Sequence, residues 1–385
     1  MMSRTIQLTR ADAARALCAY HMRWGTLPEV FARLRSVQYD PLCPCGSNHD
    51  LVLQARVKNY RIGDWQNLAY QKRQIYDGWD KQACLIPFSG WNARRIFGDW
   101  HSYRLRKINE AHPGAVDAVL KELNANGPMS PRDFEFQQHR PEWKGSWYGP
   151  SLTKQTLRAL WDTGQIMTHS RKNGQHVYDM TERVVPSEHL HAARMSDEEA
   201  IRWILRDRHA AMGLIRPIAP FEVWSINPTL VKYRPIRDAM VAEGELIPVD
   251  IEGIKANASP DFLPFLEEKP PSRATFIAPL DQLIWDRKMI AQVFGFAYKW
   301  EVYVPEHLRE YGYYVLPVVY GDRFIGRAEF VQKKAVLEMK RWIPEKGRVP
   351  GEAVAKALKR FMGYCGATEL VYGEGVPEFL SSTEL

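Results

Sequence analysis

The 385-residue sequence predicts an α+β protein in which tandem winged-helix (helix-turn-helix) modules are followed by a C-terminal antiparallel, β-barrel-like domain. Two observations carry this prediction. Up to about residue 270, helix-start signals alternate with glycine stops, and one set of helices leads into a hairpin signal at Asn173-Gly174. From Pro270 onward, closely spaced β-rich runs replace the helical spacing.

The N-terminal part of the chain predicts two helices. A capping box from Thr9 to Asp12 starts a helix over residues 10–22. Pro28 suits the first turn of the next helix. Because proline disfavours helical backbone at the residue before it, this second helix should stop near Pro41.

The middle of the chain carries the clearest module. Helical spacing covers residues 114–126 and 153–163, a capping box starts at Ser130, and extended runs flank Asn173-Gly174. Helix, helix, helix and hairpin is the order of a winged helix, whose third helix enters the DNA major groove and whose wing contacts a phosphate or the minor groove. We interpret the basic residues of the third helix and the wing as DNA contacts, with a solvated charged face as the alternative: Lys154, Arg158, Arg171 and Lys172.

A weaker version of the pattern follows. Ser196 starts a helix, and a second helix over residues 235–243 precedes a strand at 245–249. β-rich runs then lead to a closing helix over residues 351–364; they cover 275–277, 300–304, 313–320, 323–325 and 335–342. The predicted domains are an N-terminal winged-helix region, a second and a third winged helix, and the β-barrel-like domain, at residues 1–112, 113–190, 191–270 and 271–385.

Composition narrows the class of protein. Lys and Arg exceed Asp and Glu by 52 to 45, and the resulting net charge of +7 suits a polyanionic partner. No apolar run reaches the ~20 residues of a membrane helix, and no signal peptide is evident, so we expect a cytoplasmic protein that does not contact membranes. The five cysteines lack zinc-finger spacing. We expect reduced thiols, no metal and no cofactor, with a metal shared by Cys43 and Cys45 as the alternative.

Several short runs, in order along the chain, resemble one known family. They lie at residues 37–42 with 49–53, at 79 with 83–87, at 276–287 and at 311–317. This ordered set resembles the AlkZ/YcaQ family of winged-helix DNA glycosylases, in its Gln-x-Asp branch. The resemblance implies three tandem winged helices and a β-barrel curved around duplex DNA. It also implies excision of N7-alkylated purines, of bulky adducts and, in some members, of interstrand crosslinks. We expect a monofunctional enzyme that acts on double-stranded DNA without an obligate protein partner.

Gln38 and Asp40 lie just before Pro41, where we expect a helix end or the turn after it. The resemblance gives these two residues the catalytic roles. N7-alkylation makes the purine cationic and therefore a good leaving group. A carboxylate near C1′ then stabilises the oxocarbenium-like sugar and orients or deprotonates water, and the Gln38 amide positions the same water. The alternative is that Asp40 caps a turn and Gln38 is a surface amide.

The other matched residues are candidate contacts with DNA. His49 is a candidate for the lesion or a phosphate, and equally for a structural histidine. Trp285 and Arg287 are candidate DNA contacts, with a buried tryptophan beside an ion pair as the favoured alternative. Lys81 stands where many relatives have His; we expect a phosphate contact there, with attack on C1′ and strand nicking as the alternative. Residues 43–48 also depart from the family pattern, which leaves the lesion preference open.

Two other functions compete with the glycosylase. A winged-helix regulator binds DNA without catalysis, and the fold by itself favours that interpretation. An Asp40 that faces the DNA-binding surface favours the enzyme, because a carboxylate there weakens binding to phosphates; a buried or outward-facing Asp40 favours the regulator. A nuclease would need clustered carboxylates for metal ions, and the sequence offers no convincing cluster.

Overall fold

A computed structural model describes residues 5–134, 152–226 and 231–377, and it confirms the α+β class. Contacts divide the chain into two compact units. Unit 1 is drawn from the segments Met1–Asp64, Leu205–Ile226 and Tyr233–Leu385, and unit 2 from Trp65–Ile204 and Asn227–Lys232. The division into four modules stays a prediction.

The helices begin and end close to the predicted boundaries where a cap or a glycine marks them. The predicted capping box of Thr9 with Asp12 forms. A second box, of Thr26 with Glu29, starts the next helix. The α-helices of the described residues are α1 (Arg10–Met22), α2 (Leu27–Leu34), α3 (Asn48–Gln54), α4 (Trp91–Ala111), α5 (Ala115–Asn126), α6 (Leu152–Asp162), α7 (Thr181–Val184), α8 (Ser187–Leu190), α9 (Asp197–Met212), α10 (Phe221–Trp224), α11 (Tyr233–Ala242), α12 (Arg287–Phe294) and α13 (Gly351–Cys365).

The strands are short in the first two-thirds of the chain and longer near its end. They are β1 (Ile6–Leu8), β2 (Val37–Gln38), β3 (Ile75–Trp79), β4 (Ala83–Pro87), β5 (Ile166–Lys172), β6 (Gln175–Met180), β7 (Leu214–Ile215), β8 (Ile247–Ile251), β9 (Ile254–Ala258), β10 (Ala274–Phe276), β11 (Val315–Tyr320), β12 (Arg323–Lys333), β13 (Val336–Pro344) and β14 (Glu369–Gly375).

A four-stranded sheet in unit 1 joins the N-terminus to the middle of the chain. Its order is β1-β8-β9-β7, and β1 pairs in parallel with β8, with Ile6 opposite Val249. The buried side of α1 packs into the same core as this sheet and α12, through residues such as Leu17 and Ile290. No local pattern in the sequence indicates this pairing, because the partner strand lies more than two hundred residues away.

The second sheet of unit 1 corrects the predicted barrel. Its order is β10-β11-β12-β13-β14, and it stays open. One edge is β14, which pairs in parallel with β13 after the crossover through α13. The other edge is β10, whose Ala274 and Phe276 carbonyls accept hydrogen bonds from Arg360 and Gln54 side chains. Side chains therefore cover the backbone groups that barrel closure would need.

The predicted strand at residues 300–304 is wrong. The segment is a loop, and Glu301 organises it from within. The buried Glu301 carboxylate accepts hydrogen bonds from the backbone amides of Glu310, Tyr311 and Gly312, at 3.1, 2.7 and 3.3 Å. The β-branched and aromatic residues of this segment favour a strand by local propensity. The hydrogen bonds of Glu301 outweigh that propensity and hold the segment as a loop.

Unit 2 contains the predicted hairpin. β5 and β6 pair antiparallel around Asn173 and Gly174, which both have positive φ, at 51° and 76°. That backbone is the one that Asn-Gly turns favour. α5, α6 and the hairpin share one core. The Ser130 amide and hydroxyl donate to the Asp133 carboxylate, which is one half of a capping box, and residues 131–133 form a turn. Most of the helix predicted after Ser130 lies outside the described residues, so the winged-helix arrangement stays a prediction.

We predict that Asp281→Asn lowers the stability of the protein sharply. The fully buried Asp281 carboxylate accepts two hydrogen bonds from the fully buried Arg56 guanidinium, both at 2.7 Å. Asparagine keeps the side-chain cap on Leu283 but leaves the Arg56 charge uncompensated, which costs about 3–5 kcal/mol for a buried pair. Urea unfolding followed by tryptophan fluorescence measures the change.

The exposed ion pair between Arg10 and Glu252 supplies the control. Arg10→Gln should leave the urea midpoint unchanged, because solvent screens a pair of this kind. A midpoint for Asp281→Asn equal to that of the control would contradict the structural role of the buried pair.

Candidate active site

The segment that carries Gln38 and Asp40 is not a continuation of a helix. α2 ends at Leu34, earlier than predicted, because Arg35 adopts φ of 61° and its amide bonds back to the Phe31 carbonyl. The chain then turns into β2, whose last residue is Gln38. Asp40 follows in irregular backbone before Pro41. A residue before proline is biased to extended conformation, which fits a strand end better than the predicted helix end.

Asn48 ties this segment to the rest of unit 1. It is 1% exposed and opens α3. Its side-chain amide donates to the Gln38 carbonyl at 2.8 Å, and its backbone amide donates to the Asp40 carbonyl at 3.3 Å. Its Oδ1 accepts from the Leu280 amide at 3.0 Å. One buried residue thus holds both residues of the motif, Gln38 through its side chain and Asp40 through its backbone amide, and joins them to the 276–287 segment.

Three further contacts hold the 276–287 segment against residues 36–56. Gln282 Nε2 donates to the Ser36 carbonyl at 2.5 Å. Gln54 Nε2 donates to the Phe276 carbonyl at 2.8 Å, and Asp281 accepts the bidentate pair from Arg56 described above. We call this set, together with Asn48, the motif clamp. Its members are buried or half-buried, so the position of Gln38 and Asp40 is set by tertiary contacts on both sides of the motif.

The Asp40 carboxylate remains partly exposed. Its Oδ1 accepts from the Leu42 amide at 2.9 Å, which is the turn cap that the sequence left as the alternative. Nearby, burial raises the pKa of the Tyr314 phenol well above its usual value, with the Cys45 thiol and the Asp40 carboxylate as further causes. Tyr314 therefore keeps its proton at neutral pH and stands as a neutral phenol near the carboxylate.

His49 lies beneath the motif instead of on its surface. Its ring is 4% exposed and stacks on Tyr39, with ring centroids 4.1 Å apart. His49 Nε2 lies 3.2 Å from the Ser47 hydroxyl, and Ser47 donates to Asp50 at 2.6 Å. This geometry supports Tyr39, the residue between Gln38 and Asp40, and it favours a positioning role for His49 over direct contact with a phosphate.

The loop at residues 41–47 packs closely on the second sheet and α13. The Gln332 amide donates to the Pro44 carbonyl at 2.7 Å. Gly46 has φ of 130°, and a Cβ there would collide with the Tyr364 hydroxyl, so the loop needs glycine at this position. Residues 43–48, which depart from the family pattern, are thus packed against the rest of unit 1 and are not an unconstrained loop.

Trp285 and Arg287 are engaged inside unit 1, which favours the structural alternative over the predicted DNA contact. The 6% exposed Trp285 donates through Nε1 to the Leu280 carbonyl at 2.7 Å. Arg287 donates to the Pro279 carbonyl at 2.6 Å and stacks on Tyr298. Burial lowers the pKa of Arg287 to about 10. Both side chains stabilise the turn that carries the clamp residues.

The remaining predicted contacts lie in unit 2. Lys154 on α6 and Lys172 at the end of β5 are exposed. Arg158 is half-exposed, pairs with Asp162 at 3.0 Å and stacks on Trp161. Lys81 is half-buried in the turn between β3 and β4.

Arg171 differs from its predicted position at the wing tip. Its side chain is 7% exposed and donates to Asp77 at 2.6 Å and to the Gly174 carbonyl at 2.7 Å. A guanidinium held on two sides in this way stabilises the hairpin. Lys172 is the exposed cation beside it.

Sequence reasoning missed Asn48, Gln282 and Tyr314 as residues that define the site. Gln282 lies in the run that carried the family resemblance, so its signal was present without a role. Tyr314 lies in the matched run 311–317 and likewise had no role assigned to it. Asn48 gave no comparable signal, because the contact that joins it to the 276–287 segment reaches Leu280, more than two hundred residues away along the chain.

Among the residues that the structure describes, no group of three or more His, Cys, Asp and Glu side chains is placed to hold a metal ion. None of the helices within residues 5–134, 152–226 and 231–377 is long and apolar enough to cross a membrane.

Comparison with known proteins gives the family. Residues 31–364, which include the motif and the clamp, match the model of the family described as DNA glycosylase AlkZ-like. The chain is also similar to the Streptomyces sahachiroi DNA glycosylase AlkZ, with a TM-score of 0.65 and 16% sequence identity over 97% of this chain and 100% of that chain. The structural likeness concerns the fold, and the family match covers most of the sequence. The chain therefore belongs to the AlkZ-like DNA glycosylases, a family of DNA repair enzymes.

Proposed function

We propose that the protein hydrolyses the N-glycosidic bond of N7-alkylated purines in duplex DNA. Monoadducts are the first substrates to consider, and bulky adducts and interstrand crosslinks follow from the same chemistry. Asp40 and Gln38 are the catalytic residues of this proposal. The observation that carries it is that the motif clamp fixes the backbone of both residues while the Asp40 carboxylate stays partly exposed.

The proposed reaction requires mainly electrostatic stabilisation from the protein. An N7-alkylated purine is cationic, so it leaves without a strong general acid. Positive charge then develops on the sugar, and a preorganised carboxylate stabilises it. Asp40 supplies that charge and orients or deprotonates the attacking water, and the Gln38 amide holds the water from one side.

A fixed backbone matters because electrostatic stabilisation depends on a carboxylate that does not reorganise during the reaction. The Asn48 bonds to the carbonyls on either side of Tyr39 supply that rigidity. The Leu42 amide holds Asp40 Oδ1, so Oδ2 is the oxygen that we assign to the sugar or the water.

The hydrogen bond from Leu42 also suits an Asp40 with a purely structural role. A winged-helix regulator that binds DNA without catalysis is therefore the second function to test. A protein that binds duplex DNA with no base release would be that regulator.

Lys81 gives a third outcome. Attack by its amine on C1′ would end in strand nicking, whereas the monofunctional enzyme that we propose leaves an abasic site in an intact strand.

We predict that the protein releases 7-methylguanine from duplex DNA and that Asp40→Asn slows release by about 10²–10³-fold, the size expected when a charge-stabilising group is removed. Gln38→Ala should have a smaller effect, because only water positioning is lost. Single-turnover base release is the measurement.

Thermal unfolding and duplex binding serve as controls for both variants and should match the unsubstituted protein. No release of 7-methylguanine or of a bulky N7 adduct by a protein that still binds DNA would overturn the glycosylase proposal. Unchanged release by Asp40→Asn would overturn the site assignment alone.

We predict that Asn48 acts by positioning the motif. Asn48→Asp keeps the oxygen that accepts from Leu280 but loses the amide that donates to Gln38. The single-turnover rate should fall by about tenfold or more while the dissociation constant for substrate DNA changes little, because the loss falls on the transition state. A variant that loses affinity and rate in the same proportion would point to a general structural defect instead.

We predict that Lys172 contacts a DNA phosphate. Lys172→Ala should weaken duplex binding uniformly across sequences. It should also reduce the magnitude of the negative slope of log affinity against log salt by about 1. Lys121→Ala, which removes an exposed lysine of α5, is the matched control and should leave the slope unchanged. Equal slopes for the two variants would contradict the prediction that Lys172, in the hairpin, contacts DNA.

A further inference from the structure

A cavity of about 310 Å³ lies in unit 1, at the C-terminal end of α3. Its walls come from the loop after α3, from the edge strand β10 and from α13. Neither Gln38 nor Asp40 lines it. Tyr60 and Tyr364 form the wall nearest the 41–47 loop, since Tyr60 donates to Asp50 at 2.7 Å and the Tyr364 hydroxyl lies against Gly46. The cavity is thus a separate site behind the catalytic motif.

The lining of the cavity is strongly cationic. Lys58, Arg61, Arg273 and Arg360 contribute to it, and no Asp or Glu is among its described lining residues. Arg360 donates to the Ala274 carbonyl at 2.7 Å, and Arg273 donates to the backbone carbonyls of residues 22 and 55. Neither guanidinium forms an ion pair with a carboxylate among the described residues, so the two positive charges share one wall uncompensated.

Burial and like charge both act on Arg273. Burial is the larger cause that lowers the pKa of Arg273 to about 9, and the Arg360 and Arg56 guanidiniums lower it further. Arg360 is more exposed, and partial burial lowers its pKa. A bound anion would offset the repulsion at Arg273, because it interacts favourably with each guanidinium at once.

A buried hydroxyl gives an independent sign of a ligand. Thr275, in β10, lines the cavity and is 6% exposed, and its hydroxyl has no hydrogen-bond partner among the described residues. Leaving a buried hydroxyl unpaired is costly, so an unpaired hydroxyl that lines a cavity needs an explanation, and a bound ligand supplies one. A phosphate oxygen accepts from a hydroxyl and from guanidiniums together.

Trp24 adds an aromatic surface at the cavity. Its ring is 39% exposed, and the Arg273 guanidinium lies 4.1 Å from the ring centroid. An exposed indole beside phosphate-binding cations is the combination that holds a nucleotide, with the base stacked on the aromatic ring and the phosphate on the cations. The volume lies at the lower end of the range for small-molecule sites, which suits a single nucleotide.

We propose that this cavity binds the phosphate of a nucleotide, with Arg273, Arg360 and Thr275 as the phosphate contacts and Trp24 as the surface for the base. The nucleotide has two sources: a free nucleoside monophosphate, or the 5′-phosphate end of a DNA strand. The proposal does not depend on base release, because its site and its readout are separate from Asp40.

Calorimetric titration of the full chain with deoxyadenosine monophosphate and with inorganic phosphate tests the chemistry. We expect both to bind, and the nucleotide more tightly. Arg360→Gln should weaken nucleotide binding about tenfold, the effect of losing one charge-assisted contact. Lys359→Gln removes the same charge from the neighbouring residue, which does not line the cavity, and should bind as the unsubstituted protein does.

Two more variants separate binding from folding. Thr275→Val keeps the shape and removes the unpaired hydroxyl, so it should leave the thermal midpoint equal or higher while nucleotide affinity falls. Trp24→Ala should abolish the preference for the nucleotide over inorganic phosphate and leave phosphate binding in place.

A short single strand with or without a 5′-phosphate identifies the source. Tighter binding of the phosphorylated strand, lost in Arg360→Gln and kept in Lys359→Gln, assigns the site to DNA ends; an effect confined to the monophosphate assigns it to free nucleotides. No heat of binding with millimolar phosphate or nucleotide, together with equal strand affinities for the two charge variants, would overturn the proposal.

Discussion

The buried pair between Arg56 and Asp281 is the constraint on which the candidate site depends. Two fully buried charges persist only when each satisfies the other with good geometry, and here both oxygens of the carboxylate are used, at 2.7 Å. The pair holds together two segments that are 225 residues apart in the sequence. Once it forms, Gln54, Asn48 and Gln282 lie within hydrogen-bonding reach of the opposite backbone, and the position of the motif follows from them.

This arrangement explains what the most distinctive run of the sequence does. The polar residues at 276–287 are conspicuous beside an otherwise apolar core, and the sequence offers Trp285 and Arg287 as candidate DNA contacts, with a structural role as the favoured alternative. The contacts of this run lie inside the protein: Asp281 binds Arg56, Asp286 binds Arg216 at 2.6 and 2.8 Å, and Arg287 donates to a carbonyl. A conspicuous polar run can therefore fix the backbone of the candidate site through contacts inside the protein.

Local signals predicted seven of the thirteen α-helices of the described residues and the hairpin, but not the longest helix, α4. Capping boxes, Gly stops and the Asn173-Gly174 turn act over a few residues, so the sequence contains their complete cause. Several errors fell where residues beyond the local window decide the backbone. Glu301 accepts from amides 9 to 11 residues later and converts a β-rich run into a loop. β1 finds a parallel partner at β8, and side chains from α3 and α13 occupy the edge strand that a barrel would have closed.

The sequence by itself determined the pairing of a carboxamide and a carboxylate two residues apart, with Pro41 favouring extended backbone at Asp40. It also determined the cationic balance that suits a polyanion. Only the tertiary structure decided that Arg171 turns inward to Asp77 and that His49 stacks beneath Tyr39. It alone brought Arg273, Arg360 and Thr275 to one cavity. The physical reason is that the role of a side chain depends on the groups that surround it in the folded protein, and most of these groups come from other parts of the chain.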